Sequence, residues 1–119
     1  MILLVDDEPS IRETLGFILE MEGFRVATAE DGEQALSEIH RLRPRVVLLD
    51  AMMPRRDGFD VCRTVKADRA LAGTAIIILT ALGQQADRRR ALEAGADYYV
   101  AKPFDEEELI ALLRRLVSN

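Results

Sequence analysis

Several things are scarce in this sequence, and each shortage excludes something. One cysteine, Cys62, leaves no partner for an internal disulfide, which fits a reducing, cytoplasmic setting. Basic residues are outnumbered: 16 Lys and Arg against 21 Asp and Glu give a formal charge of −5 and a pI near 4.9. Phosphate backbones require a basic surface, so direct nucleic-acid binding is not expected. No apolar run approaches the length of a membrane span. Met1 leads directly into a predicted strand, so no secretory signal is expected. Internal repeats, low-complexity tracts and linkers longer than a turn are all missing, and a single domain over residues 1–119 is expected. With 49% hydrophobic and 31% charged residues, that length suits a soluble globular chain with one core.

What is present is organised around Val46-Val47-Leu48-Leu49-Asp50. Four branched apolar residues without alternation read as a strand buried on both faces. The run ends in a carboxylate, at the strand end where open α/β sheets place their chemistry. The design recurs. Ile2-Leu3-Leu4-Val5 ends in Asp6 and Asp7, Ile76-Ile77-Ile78-Leu79 in Thr80, and Tyr99-Val100-Ala101 in Lys102. If these strands are parallel neighbours, three acids, one hydroxyl and one amine meet on one rim.

Helical periods separate the apolar runs. Strands are expected at 2–5, about 24–28, 45–49, 75–79 and about 97–101. Helices are expected at about 9–22, after Asp31, at about 58–67, at about 84–94 and after Asp105. Pro9 suits a first helical turn, Gly23 and Gly95 suit helix ends, and Pro44 ends the second helix. Asp31 with Gln34 and Asp105 with Glu108 have the spacing of capping boxes, and Asp57 is a further cap residue. Ile11, Leu15, Ile18 and Leu19, then Ala35, Leu36, Ile39 and Leu42, and finally Leu109, Leu112, Leu113 and Leu116 form inward stripes. The second strand alternates more and suits a sheet edge. Right-handed crossovers with helices on both faces favour a doubly wound, five-stranded parallel sheet in the order 2-1-3-4-5. The switch point then lies between the first and third strands, flanked by Asp6, Asp7 and Asp50.

Clustered carboxylates repel, and burying them unpaired is costly. A divalent cation resolves this. An acid cluster without His or Cys fits Mg²⁺ better than zinc, because Mg²⁺ takes hard oxygen ligands and leaves positions for water and phosphate oxygens. Lys102 can add a second cation, and Thr80 can donate a hydrogen bond to a phosphoryl oxygen. One carboxylate can itself be the nucleophile, giving an acyl phosphate. Asp50, between the acid pair and the Thr80/Lys102 pair, is the best placed.

These residues carry a family resemblance. Val5-Asp6-Asp7-Glu8, Leu49-Asp50 with Pro54 and Asp57-Gly58, Leu79-Thr80-Ala81, Gly95-Ala96-Asp97 and Lys102-Pro103-Phe104 stand in order at strand ends. Over its whole length the chain resembles a receiver domain of a two-component response regulator, with the CheY-like, flavodoxin-like three-layer sandwich that this implies. The resemblance implies that Asp50 accepts a phosphoryl group from a phosphohistidine of a sensor kinase or phosphotransfer protein. It implies that Asp7, Asp50 and the backbone carbonyl of Met52 bind Mg²⁺, with Asp6 acting through water. It further implies that Thr80 and Tyr99 are a switch pair relaying phosphorylation to the face of the fourth helix, fifth strand and fifth helix. The chain would then catalyse only its own phosphorylation and dephosphorylation. A homodimer through that face, an attached output domain or a separate effector protein are the implied partners. Leu82 is among the residues that would set the phosphoryl lifetime. The family's DNA-binding branch pairs acids with bases across the same face. Here two of those positions are Tyr98 and Leu112, although Arg88 and Glu108 retain complementary charges.

Plainer readings stand beside these. Asp6 and Asp7 could mark a helix start, Thr80 a strand end, and Tyr99 ordinary packing. Asp57-Gly58 is read as cap and turn chemistry, Arg88-Arg89-Arg90 as a solvated face, Cys62 as core beside Phe59 and Val65, and His40 as surface. Two other functions use related parts. A phosphatase or phosphotransferase of the haloacid-dehalogenase type needs an Asp-x-Asp nucleophile motif, but Met52 stands where its second acid would be. A flavodoxin-like FMN carrier needs a Ser, Thr and Gly loop after the first strand, where this chain has acids.

Overall fold

The computed structural model describes residues 1–81 and 85–118. Leu82 and the expected start of the fourth helix at residue 84 lie outside them. The apolar runs form β1 (Ile2–Val5), β3 (Val46–Asp50) and β4 (Ala75–Thr80), flanked by the less buried edges β2 (Val26–Ala29) and β5 (Tyr98–Ala101). All neighbours pair in parallel in the order β2-β1-β3-β4-β5, as expected. The helices are α1 (Pro9–Met21), α2 (Gly32–Leu42), α3 (Gly58–Ala67), α4 (Gln85–Glu93) and α5 (Glu106–Ser118). Among the described residues no helix is long and apolar enough to cross a membrane.

The twofold period of the strands splits the core into two layers. Leu3, Val5, Val47, Leu49, Ile76 and Ile78 pack with α2, α3 and the inner side of α4 through Ile39, Phe59, Val65 and Ala91. Ile2, Leu4, Val46, Leu48, Ile77 and Leu79 face α1 and α5 through Leu15, Leu19, Leu109 and Leu113. Both faces of the central strands are thus sealed, which is why their sequences do not alternate. Burying each such side chain contributes roughly 1.5–3 kcal/mol, so the central strands are held rigidly and their ends become fixed points.

Several boundaries differ from expectation for local reasons. β2 starts at Val26 rather than near residue 24, because Gly23 turns with φ 95° and Phe24 N donates back to Leu19 O (3.1 Å). Phe24 then lies under the Arg114 guanidinium, 5.4 Å from its ring centre. α2 ends on Arg43 in the left-handed region (φ 48°), one residue before Pro44. Asp31 caps α2 by accepting from Gln34 N (2.8 Å), but Gln34 Oε1 accepts from Glu30 N rather than from the cap residue itself. A 3-10 turn at Arg69–Leu71 was not foreseen. In α5 only Leu109 and Leu113 are fully buried, while Leu112 and Leu116 are half-buried. Both still pack against the core, and Leu112 also lines a groove with Tyr99, Val100 and Phe104.

Candidate functional site

The site gathers at the carboxyl ends of four strands. β1 ends at Val5, and residues 6–8 carry the chain out to α1. Asp6 N donates to Ala29 O (3.2 Å), and Asp6 Oδ1 accepts from Glu8 N (2.9 Å), closing an Asx turn. The N-cap of α1 is Glu8, so neither Asp6 nor Asp7 holds that position. Asp6 is buried and Asp7 is exposed.

Asp50 is the last residue of β3, in register with Leu79. The following loop returns at once, because Gly58 N donates to Ala51 O (2.8 Å). A Cβ on Gly58 would stand 2.3 Å from the Asp50 carbonyl oxygen. Only glycine permits this approach of α3 to the acceptor strand. On its other flank the loop is pressed against α2, where a Cβ on Gly32 would meet Arg56 O at 2.3 Å. Arg56 is tied to Asp60 (2.6 Å) and Thr64 (3.0 Å), and Arg55 Nε lies 3.7 Å from Asp31.

One carboxylate oxygen from each of Asp6, Asp7 and Asp50 lies within 4.8 Å of the other two. Lys102 follows β5, and its main-chain N donates to Thr80 O (2.8 Å). Its Nζ stands 3.4 Å from Asp6 Oδ2 and 4.0 Å from Asp50 Oδ1. Thr80, ending β4, is fully buried, and Met52 N donates to Asp50 Oδ1 (3.4 Å). Burial raises the Asp50 carboxyl from 3.8 to about 6; Lys102 opposes the rise, Asp6 adds to it, the Met52 N–H opposes it and Asp7 adds to it. Three carboxylates against one ammonium leave an excess of negative charge, and every donor is a hard oxygen. That set suits Mg²⁺ and not a metal preferring thiolate or imidazole.

The sequence-predicted residues thus divide. Asp6, Asp7, Asp50 and Lys102 meet directly, with Thr80 beside them. Tyr99 lies two positions before Ala101, which pairs with Thr80, and its ring lies under Arg88 (5.6 Å). Arg88 makes no ion pair with Glu108 among the described residues. The arginine run is not a plainly solvated face either, since Arg90 stands over the Phe59 ring (4.2 Å) and 3.9 Å from Asp57. Cys62 is core, donating to Ala94 O (3.4 Å), with burial pushing its thiol up to about 11. His40 is an exposed residue beside Asp68 (3.3 Å).

Two contributors were missed, Gly32 and Arg12, and Gly58, expected as turn chemistry, also stands against the Asp50 carbonyl. Arg12 Nη1 donates to the Asp6 main-chain oxygen (2.6 Å). The available signal was an arginine just behind the acid pair, next to the apolar stripe of the first helix.

Residues 2–114 match the family model described as response regulator receiver domain. The chain belongs to that family. Receiver domains are phosphorylation-linked signalling switches of two-component systems rather than classical enzymes, and they interact with sensor histidine kinases. The DNA-binding response regulator MtrA of Mycolicibacterium smegmatis is 49% identical over 119 residues, covering 99% of this chain and 51% of MtrA. The chain spans about half the length of the curated relatives it matches. Among solved structures, the receiver domain of a sensor histidine kinase from Pseudomonas aeruginosa has a TM-score of 0.89 at 36% identity, covering 99% of this chain and 97% of that one. That protein coordinates a magnesium ion in its active-site cleft. The BeF3-activated N-terminal receiver domain of RstA from Klebsiella pneumoniae has a TM-score of 0.91 at 30% identity, covering 99% and 98%.

Proposed function

We propose that residues 1–119 form one receiver domain in which Asp50 accepts a phosphoryl group from a phosphohistidine of a sensor kinase or histidine phosphotransfer protein. The observation that carries this reading is the position of the Asp50 carboxylate, clustered with the acid pair and 4.0 Å from Lys102, whose ammonium it shares with Asp6. An Asp50 oxygen forms a bond to phosphorus as the P–N bond of the donor breaks, and the electron pair leaves with the imidazole, which takes up a proton. The nucleophile must be ionised. With its carboxyl raised to about 6 in the metal-free protein, Asp50 is mostly ionised at pH 7 and yet more basic than an exposed aspartate.

Mg²⁺, held by Asp7, Asp50 and the Met52 carbonyl with Asp6 through water, would neutralise charge on the phosphoryl oxygens. Lys102, 3.4 Å from Asp6 and 4.0 Å from Asp50, supplies a second cation and is exchanged from them toward the incoming phosphoryl group. Thr80 donates its hydroxyl to a phosphoryl oxygen, and Tyr99 moves inward in response. Because Tyr99 is packed against Arg88 of α4, that movement changes the face of α4, β5 and α5. A charge change at Asp50 thereby biases a two-state surface. The same residues catalyse the chain's own dephosphorylation. The α4-β5-α5 face serves a homodimer, an output domain or an effector protein, in the cytoplasm and without nucleic-acid contacts of its own.

Intact mass after incubation with acetyl phosphate and Mg²⁺ tests the reading. A single phosphoryl adduct is expected on the wild type, absent with chelator and absent from Asp50→Asn. An adduct of equal yield on Asp50→Asn overturns it.

A further inference from the structure

The acid pair presents a problem of aim. Asp6 is buried and bonded, but Asp7 is exposed and sits in the exit between β1 and α1. The direction of its carboxylate therefore depends on the peptide joining it to Asp6. Three groups constrain that segment. Asp6 N is held by Ala29 O (3.2 Å), Glu8 N by Asp6 Oδ1 (2.9 Å), and the carbonyl of the Asp6–Asp7 peptide by Arg12 Nη1 (2.6 Å).

Arg12 is well placed to act as a fixed strut. It belongs to the first turns of α1, with its own N–H bonded to Glu8 O (3.2 Å). Its side chain is only 17% exposed. The second guanidinium nitrogen, Nη2, lies 3.8 Å from Glu30 Oε2, beyond the end of β2. The planar fork therefore spans from the Asp6 carbonyl to a neighbouring loop, which a lysine ammonium cannot reproduce.

We propose that Arg12 is a positioning residue for metal binding: its guanidinium fixes the Asp6–Asp7 peptide and so aims the Asp7 carboxylate into the site. This rests on the Mg²⁺ reading of the site. Groups that orient ligands from behind change metal affinity typically by about 10–100-fold when removed.

The test is a thermal-melting titration with MgCl₂ on the wild type, Arg12→Met and Arg12→Lys, each also melted in chelator. Methionine keeps the packed stem and loses every donor. The expected result is a rise of at least about tenfold in the Mg²⁺ midpoint for Arg12→Met, with partial recovery in Arg12→Lys. A purely structural role would lower the melting temperature in chelator and leave the midpoint in place. A midpoint within about twofold of wild type overturns the proposal. Should Arg12→Met not fold, Glu30→Gln and Arg12→Lys decide: a raised midpoint in Arg12→Lys supports the strut, and unchanged midpoints in both variants overturn it. A wild type whose melting ignores Mg²⁺ overturns the metal reading and this proposal together, whereas a normal wild-type response with unshifted variants overturns this proposal alone.

Discussion

Lys102 and Asp6, 96 positions apart in the chain, meet with Nζ 3.4 Å from a buried carboxylate oxygen. The same ammonium stands 4.0 Å from Asp50, so a single cation is shared between two acids. Removing it leaves Asp6 charged, buried and uncompensated. Lys102→Met should therefore destabilise the metal-free protein by roughly 1–3 kcal/mol. Urea denaturation in chelator measures this, and an unchanged midpoint would show that the contact carries no weight. The same variant should lose phosphorylation by small phosphodonors.

Excess negative charge at the site couples metal binding to stability. Ligand that binds only the folded state at 100 times its dissociation constant stabilises by about 2.7 kcal/mol. Saturating Mg²⁺ should raise the melting temperature of the wild type by several degrees, and of Asp50→Asn by clearly less. Equal shifts in the two proteins would place the metal elsewhere.

The elevated Asp50 carboxyl has a consequence with a definite sign. Its folded value, about 6, exceeds its usual 3.8, so the folded state holds the proton more tightly than the unfolded chain. The stability contributed by this group is fully present below pH 3.8 and is lost as pH rises to about 6. In chelator, Asp50→Asn should thus gain on the wild type across that interval and lead by roughly 1–2 kcal/mol at pH 7.5, a figure reduced for solvent at the mouth of the site. Parallel stability curves for the two proteins from pH 4 to 7.5 would contradict the assignment.

Gly58 is set against the Asp50 carbonyl with no room for a side chain, since a Cβ would stand 2.3 Å from that oxygen. Gly58→Ala should cost about 2 kcal/mol or more and slow phosphorylation, because α3 and the loop after Asp50 must move apart. Gly73 has nothing within 4 Å of the equivalent position, so Gly73→Ala serves as the neutral comparison. Similar stabilities for the two variants, measured by urea denaturation, would remove the steric argument.

The strand ends were readable in the sequence because three apolar runs are buried on both faces and stop abruptly at polar residues. That pattern located Asp6, Asp7, Asp50 and Thr80, and the run before Lys102 located the fifth. The sheet order followed from placing the fully apolar strands centrally and from right-handed crossovers with helices on both faces. Contacts made only when distant segments close were not readable. The roles of Gly32 and Gly58 depend on how near two helices approach the loop after Asp50. Arg88 and Arg90 look like surface charge until the rings of Tyr99 and Phe59 arrive beneath them. Arg12 resembles any helical arginine until Asp6 O is found at its end. Leu112 fits the helical stripe of α5 and yet lines an open groove, because a stripe gives direction without saying whether anything covers it.

The central claim is that the Asp50 carboxylate becomes an acyl phosphate. Borohydride trapping tests it most directly. The wild type is incubated with acetyl phosphate and Mg²⁺, reduced with labelled borohydride, digested and sequenced by mass spectrometry. The account predicts homoserine in place of aspartate at position 50 and at no other acid, with no label in the chelator control. Label at Asp6 or Asp7, or a phosphoryl group on a hydroxyl that resists reduction, would contradict it.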